Sequence, residues 1–207
     1  PNFEVNFFSK FVPYKYASIK FLESIYNKLK NEEKDLLSNT LKFNHIGNPY
    51  FIKINGQIFN ERWLSNLKCA SFIKKNILEK FDKNDLICDI GGGYGNFIYM
   101  LIKLGFKGKS IVVDLPEQLI YAKYYLGLSF PGLKINDLND FYNLNHISDN
   151  DLEKFDILLL TPNLFLKIKK KITLLCNFYS FGEMGYEHFN SYINSQQYIQ
   201  SEYIYLI

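Results

Sequence analysis

Leu86-Ile87-Cys88-Asp89-Ile90-Gly91-Gly92-Gly93-Tyr94-Gly95-Asn96, followed by an apolar run and then by Ile111-Val112-Val113-Asp114-Leu115-Pro116-Glu117, is the stretch whose reading decides the fold. A short apolar run ending in an acid, a glycine cluster, about ten residues of helical pattern and a second apolar run ending in an acid read as one βαβ unit. Glycines at the bend let the backbone turn sharply and let a ligand come close, because a residue without Cβ tolerates positive φ. The helix that follows points its free N–H groups and its positive dipole end at the same place. A cradle for a nucleotide-type cofactor is the expectation.

The spacing narrows the cofactor. A dinucleotide fingerprint needs glycines at relative positions one, three and six. Counted from Gly91 the sixth position is Asn96, and counted from Gly92 the third is Tyr94, so that pattern fails. Asp-x-Gly-x-Gly-x-Gly fits, with Asp89, Gly91, Gly93 and Gly95 in register. This resembles the first motif of class I S-adenosylmethionine-dependent methyltransferases. The resemblance implies an α/β fold of that class: a Rossmann-like, three-layer αβα arrangement around a mostly parallel sheet. It also implies S-adenosyl-L-methionine as cofactor. Asp89, Gly91, Gly92, Gly93 and Gly95 would form its loop, Asp114 would accept hydrogen bonds from the ribose hydroxyls, and Leu115 would lie beside it. The competing reading is a glycine-rich turn without a ligand, and the second acid, Asp114, argues against it.

Composition bounds the rest. The 207 residues allow one full domain plus a modest extension, and 47% hydrophobic content is ordinary for a soluble globular chain. A net charge of +3 with both signs mixed gives a nucleic-acid partner little support. Lys167 to Lys171 is the richest basic run and reads as a solvated helix end in preference to a phosphate-binding patch. Cys69, Cys88 and Cys176 are odd in number and far apart, which suits reduced core thiols in a cytoplasmic protein. No membrane span, signal peptide or metal-ligand cluster is legible. Pro1 in place of methionine, and Ile207 inside an apolar run, read as a segment of a longer protein.

Two domains are expected: a mainly helical layer over 1–82, and a cofactor-binding domain over 83–207. In the first, Ile19, Leu22, Ile25, Tyr26 and Leu29 predict an amphipathic helix between Tyr14 and Lys30, followed by a charged turn at Asn31 to Asp35. Asn55-Gly56, between Tyr50 to Ile54 and Gln57 to Phe59, predicts a β-hairpin near 50–59. Trp63, Leu64, Leu67, Ala70, Ile73, Ile77 and Phe81 predict one long helix from Asn60 to Phe81, with Asn60 as N-cap. This layer is expected either to roof a substrate or simply to pack. His45 reads as a base or substrate donor, or as a residue that fixes its loop.

Downstream, helices are predicted over Asn96 to Leu104, with Gly105 as C-cap, and from Pro116 to about Leu126. Pro131 to Asn150 reads as irregular. Asp156 to Leu160 and Ile172 to Cys176 are continuous apolar runs, as in strands buried on both faces. If Leu133 to Asn136 were a strand, these runs would be the fourth and fifth. Without it they are the third and fourth, and Tyr203 to Ile207 is the fifth. The second register is preferred, because Asp137 to Asn150 offers no helix. It sets Asn177 at the carboxyl end of the fourth strand, beside the glycine loop, as a further cofactor contact.

Ser180-Phe181-Gly182-Glu183-Met184, Val113-Asp114-Leu115-Pro116-Glu117, the Tyr121 to Leu126 helix and the Ile46-Gly47-Asn48-Pro49 turn resemble a sugar O-methyltransferase group within class I. The likeness runs over roughly 45–207, and two further strands usual in the class are missing. The implied substrate is a sugar hydroxyl, as a small molecule or surface-glycan precursor. Such a hydroxyl is a poor nucleophile and needs a base. Glu183 is the first candidate and His188 the second, one helical turn on. Glu183 could equally cap the helix Gly185 to Tyr192 or hold the cofactor's ammonium. Two other readings compete. Thr161-Pro162-Asn163-Leu164 partly resembles the motif of amino-methylating enzymes that act on nucleic acid. A binding module that lost turnover is the other. Oligomeric state is left open.

Overall fold

The computed structural model describes residues 4, 5 and 15–207. They fall into two compact units, Pro1–Glu79 with Met100–Gly105, and Lys80–Tyr99 with Phe106–Ile207.

In the first unit β1 (Glu4–Val5) pairs antiparallel with β2 (Ile52–Ile54), which pairs with β3 (Gln57–Phe59). Asn55 and Gly56 both have positive φ, 50° and 81°, which is the two-residue hairpin turn that their identities predict. Helix α1 spans Lys15–Asn27; Tyr14, the expected start, lies outside the described residues. Its Tyr26 stacks on Phe59 at 5.2 Å. Asn31 to Asp35, expected as a turn, is helix α2 (Asn31–Asp35), and Leu36–Thr40 continues it as a π-helical turn. The reason is electrostatic: Glu32 and Glu33 sit at the positive end, and Glu33 Oε2 accepts the Lys30 N–H at 2.7 Å.

Helix α3 spans Glu61–Asn76. It stops short of the predicted Phe81, because Ile77 leaves helical geometry and Leu78–Lys80 forms a 3-10 turn. Asn60 Oδ1 accepts the Trp63 N–H at 2.9 Å, so the cap is where the sequence puts it. Asn60→Ala should lower stability by about 1 kcal/mol in denaturant titration, the usual cost of an N-cap. Trp63 is buried, and its Nε1 donates to the Leu41 carbonyl at 3.1 Å. His45 stands edge-on between Phe43 and Phe51, at 5.2 and 5.3 Å. Asn44 Oδ1 accepts the Ile46 N–H in the same loop. These contacts support the loop-fixing reading of His45.

The second unit is built on a parallel sheet. Its elements are β4 (Leu86–Ile90), α4 (Asn96–Lys103), β5 (Lys109–Val113), α5 (Pro116–Ser129), α6 (Asp149–Glu153), β6 (Ile157–Leu160), α7 (Pro162–Phe165), β7 (Leu174–Asn177), α8 (Ser180–Glu183), α9 (Tyr186–Ile193), α10 (Gln196–Ile199) and β8 (Tyr203–Leu206). Helix α4 contributes residues to both units. The strand order is β6-β5-β4-β7-β8, every pair parallel. In order of appearance that is 3-2-1-4-5, the doubly wound arrangement and the preferred register. Residue 135 makes only an isolated bridge to Ile157. β4, β6 and β7 are buried throughout, which explains why they read as unbroken apolar runs. One face of the sheet carries Cys88, Ile90, Val113, Leu160 and Leu175 in a core shared with Phe165, Ile168 and Tyr192.

The polar residues of the connections are used locally. The Lys167 Nζ donates to the Leu144 carbonyl, while Lys170 pairs with Glu153 and Lys171 with Glu202; the run follows the end of α7 and is partly buried, so it is a connection and not the solvated helix end expected. Ser148 and Asp151 cap α6 reciprocally. Hydrogen bonds from Lys154, then from the Ser148 hydroxyl and backbone, hold the Asp151 carboxyl down from 3.8 to about 2. A depressed carboxylate stabilises the fold above its unfolded value and loses that contribution as pH falls through its folded value. The cap should therefore weaken between about pH 4 and pH 2. An Asp151 carboxyl-carbon NMR titration should show a midpoint near 2, and one near 4 would mean that the cap does not form in solution. Among the described residues no helix is long and apolar enough to cross a membrane.

Candidate functional site

In a 3-2-1-4-5 sheet the chain leaves the first strand to one side and returns to the fourth on the other, so a crevice opens between their carboxyl ends. Here that crevice lies between β4 and β7. The glycine loop closes one wall of it. Gly91 and Gly92 donate to the Val113 carbonyl, at 2.7 and 3.4 Å, and Gly95 donates to the Gly92 carbonyl at 3.0 Å. Gly91, Gly93 and Gly95 have φ of 72°, 56° and 83°, a conformation L side chains rarely adopt.

The glycines are not equivalent. A Cβ on Gly92 would sit 2.8 Å from Asp89 Oδ2 and 2.9 Å from Val112 Cγ1. One on Gly95 would sit 2.6 Å from Leu126, and one on Gly91 would sit 2.0 Å from Ser180 Oγ. Only at Gly93, within this loop, would a Cβ meet nothing within 4 Å. Gly91, Gly92 and Gly95 therefore serve close packing inside the protein, and Gly93 faces open space.

Asp114 follows β5 and reaches back to that open glycine. Its Oδ2 accepts the Gly93 N–H and its Oδ1 accepts the Leu115 N–H, each at 2.7 Å. Each oxygen keeps a lone pair for a further donor. Leu115, beside it, is 59% exposed although apolar. Pro116 opens α5 and Glu117 lies in its first turn. Asp89 is buried within β4. At the start of α4, Asn96 is buried and its Oδ1 accepts from the Tyr125 hydroxyl at 3.3 Å, while its Nδ2 finds no partner among the described residues.

The other wall begins at Asn177, fully within the core at the end of β7. Its Nδ2 donates to the Ile90 carbonyl at 2.9 Å and its Oδ1 accepts the Phe181 N–H at 3.1 Å. The Ser180 Oγ also donates to the Ile90 carbonyl, at 3.2 Å. Asn177 and Ser180 thus stitch the β7 loop to the glycine strand. Sequence reasoning nominated Asn177 and missed Ser180, whose signal is the clash it would have with any side chain at position 91.

The two base candidates sit further out. Glu183 ends α8 and His188 lies on α9, and both are exposed with no side-chain hydrogen bond or ion pair among the described residues. Glu183 does not cap α9, whose N-cap, Gly185, lacks a side-chain bond. Burial, and then the neighbouring Asp89, push the Cys88 thiol well up, so it stays protonated and is no nucleophile. Burial, followed by Cys88 and Asp114, also raises the Tyr192 phenol, which stays neutral. Thr161-Pro162-Asn163 opens α7 at the end of β6, the outermost strand, two strands from the glycine loop. An open groove of about 490 Å³ lined by Ile120, Lys123, Tyr124, Asp137, Leu138 and Asn139 contains none of the glycine-loop residues, nor Asp114. No group of three or more His, Cys, Asp or Glu among the described residues could hold a metal ion.

No protein-family model matches the chain, and no curated protein does. Solved structures resemble it distantly. An SAH-bound methyltransferase of Podospora anserina aligns at 11% identity and TM-score 0.44, over 93% of this chain and 70% of that one. A candidate RNA methyltransferase of Pyrococcus horikoshii aligns at 15% and 0.43, over 74% and 61%. Mitomycin 7-O-methyltransferase aligns at 10% and 0.31, over 86% and 44%. The chain thus spans less than two thirds of the length of the last two.

Proposed function

We propose that this protein is an S-adenosylmethionine-dependent O-methyltransferase acting on a hydroxyl of a sugar or surface-glycan precursor. The observation that carries the reading is the Asp114–Gly93 pair: a carboxylate at the end of the second strand, held against the one glycine of the loop that faces open space. A carboxylate with spare lone pairs beside a bare backbone is what a ribose diol needs, and the same arrangement serves dinucleotides on related sheets. In this reading Asp89, Gly91, Gly92 and Gly95 shape the loop, Gly93 and Asp114 hold the ribose end, Leu115 offers its exposed apolar surface, and Asn177 keeps the crevice in register.

When bound, the cofactor supplies an electrophilic methyl group. What this chain must do is align the acceptor oxygen in line with that carbon and take the hydroxyl proton during or after attack. Glu183 is the proposed proton acceptor, with His188 the alternative. A small net charge speaks for a small or glycan acceptor over nucleic acid. Buried, unbridged Cys69, Cys88 and Cys176 suit the reducing cytoplasm. Calorimetry with S-adenosylhomocysteine tests the donor half: no heat and no thermal shift at millimolar ligand would refute it. Transfer from labelled cofactor into nucleotide-sugar or polysaccharide fractions, with RNA and DNA as controls, tests the acceptor half.

A further inference from the structure

Tyr179 has left-handed backbone geometry, φ 71° and ψ −25°. Every other described residue with positive φ is glycine or asparagine, the residues that tolerate this region. A bulky aromatic residue there needs a reason. No polar or ring partner supplies one: among the described residues the Tyr179 side chain makes no hydrogen bond or ring contact, and it is 54% exposed.

Its neighbours explain the geometry. Phe178 turns inward, edge-on to Phe97 at 4.7 Å and to Tyr205 at 5.5 Å. Ser180 turns to the Ile90 carbonyl and fills the space over Gly91. The Tyr179 N–H donates to the Ile207 carbonyl at 2.8 Å, and its own carbonyl accepts from Gly182 at 3.1 Å. With both flanking side chains committed to the interior and the backbone pinned on both sides, the ring at 179 is left exposed just beyond the carboxyl end of β7, the strand that forms one wall of the crevice. Strained backbone that persists at such a place points to use.

We propose that Tyr179 binds the acceptor, laying its ring against the apolar C–H face of a pyranose at the crevice mouth; this rests on the sugar-methylating reading above. An exposed aromatic ring gives a sugar a flat apolar surface and a hydroxyl for its edge. A nucleobase could use the same ring, but a net charge of only +3 gives its phosphates little support.

Saturation-transfer NMR on the full chain, with S-adenosylhomocysteine present and methyl β-D-galactopyranoside as the probe, tests this without turnover. Saturation should concentrate on the protons of the sugar's apolar face, fall at least about threefold in Tyr179→Asn, and persist in Tyr179→Phe. The melting temperature of Tyr179→Asn should hold or rise, since asparagine suits the backbone better. Equal saturation in Tyr179→Asn, or none in the wild type, overturns the proposal. So does a lowered melting temperature, which would make the ring a packing element. Saturation that depends on Tyr179 with cytidine monophosphate and not with the galactoside overturns the sugar assignment. Calorimetry with S-adenosylhomocysteine on the wild type reads separately: absent heat with an intact sugar signal refutes the methyl-donor reading and leaves Tyr179 as a sugar contact.

Discussion

Asp114→Ala should weaken S-adenosylhomocysteine binding at least about tenfold in calorimetry, because a hydrogen bond to a charged acceptor contributes about 1.5–3 kcal/mol. On the proposed reading the loss has two sources. One is the acceptor that the ribose hydroxyls would use. The other is the bond from the Gly93 N–H to Asp114 Oδ2, which holds the open glycine of the loop. A 2′-deoxy analogue of S-adenosylhomocysteine separates them. If the carboxylate meets the ribose, the analogue binds the wild type more weakly than the parent ligand, and the Ala variant no longer distinguishes the two. That is the pairwise coupling a double-mutant cycle isolates. If both ligands lose equally in the variant, Asp114 acts through the loop alone. Unchanged affinity for the parent ligand would remove the carboxylate from the site altogether.

Gly91→Ala should be the most damaging of the small substitutions. The added Cβ meets two independent penalties. Its φ of 72° costs an L residue about 1–2 kcal/mol. Its position, 2.0 Å from Ser180 Oγ and 2.3 Å from Ser180 Cβ, also forces Ser180 out. That breaks the bond from Ser180 to the Ile90 carbonyl and frees Asn177 from its Ser180 partner. With about 1 kcal/mol for each lost bond, the total is about 2–4 kcal/mol. In a chain of this size that is a fall of about 5–15 °C in melting temperature. Ser180→Gly alone gives up the same two bonds without the φ penalty, so it should cost about half as much as Gly91→Ala, and adding it to Gly91→Ala should cost little more. A Gly91→Ala protein that melts with the wild type would show that α8 does not close over the glycine strand.

Both experiments probe residues of one motif, and they show how differently parts of that motif could be read in advance. Asp89, Gly91, Gly93 and Gly95 stood out because their spacing is local. Strands β6 and β7 fell where the apolar runs put them, since a strand buried on both faces has no alternation to obscure it, and β8 fell on the last apolar run although its residues alternate between half-buried and exposed. The Asn60 cap and the Asn55-Gly56 turn were legible for the same reason: each is a short-range hydrogen-bond or φ requirement met by one residue type. Other features left no such mark. β1 is two residues long and too short to carry a period. Asn31 to Asp35 is so polar that its helix shows only through its end charges. The end of α3 was overrun because the apolar spacing continues past the point where the backbone leaves the helix at Ile77.

Sequence alone determined which residues bend, which are buried and where a glycine-rich loop can form, since these depend on the φ tolerance, polarity and spacing of near neighbours. Tertiary structure decided which glycine faces open space, that Ser180 occupies the room left by Gly91, that Asp114 turns to Gly93, and that Tyr179 is held outward in a left-handed bend. Each of these is a meeting of strand ends brought together by the parallel sheet, and the pairing of β4 with β5 and β7 creates distances that no local pattern encodes.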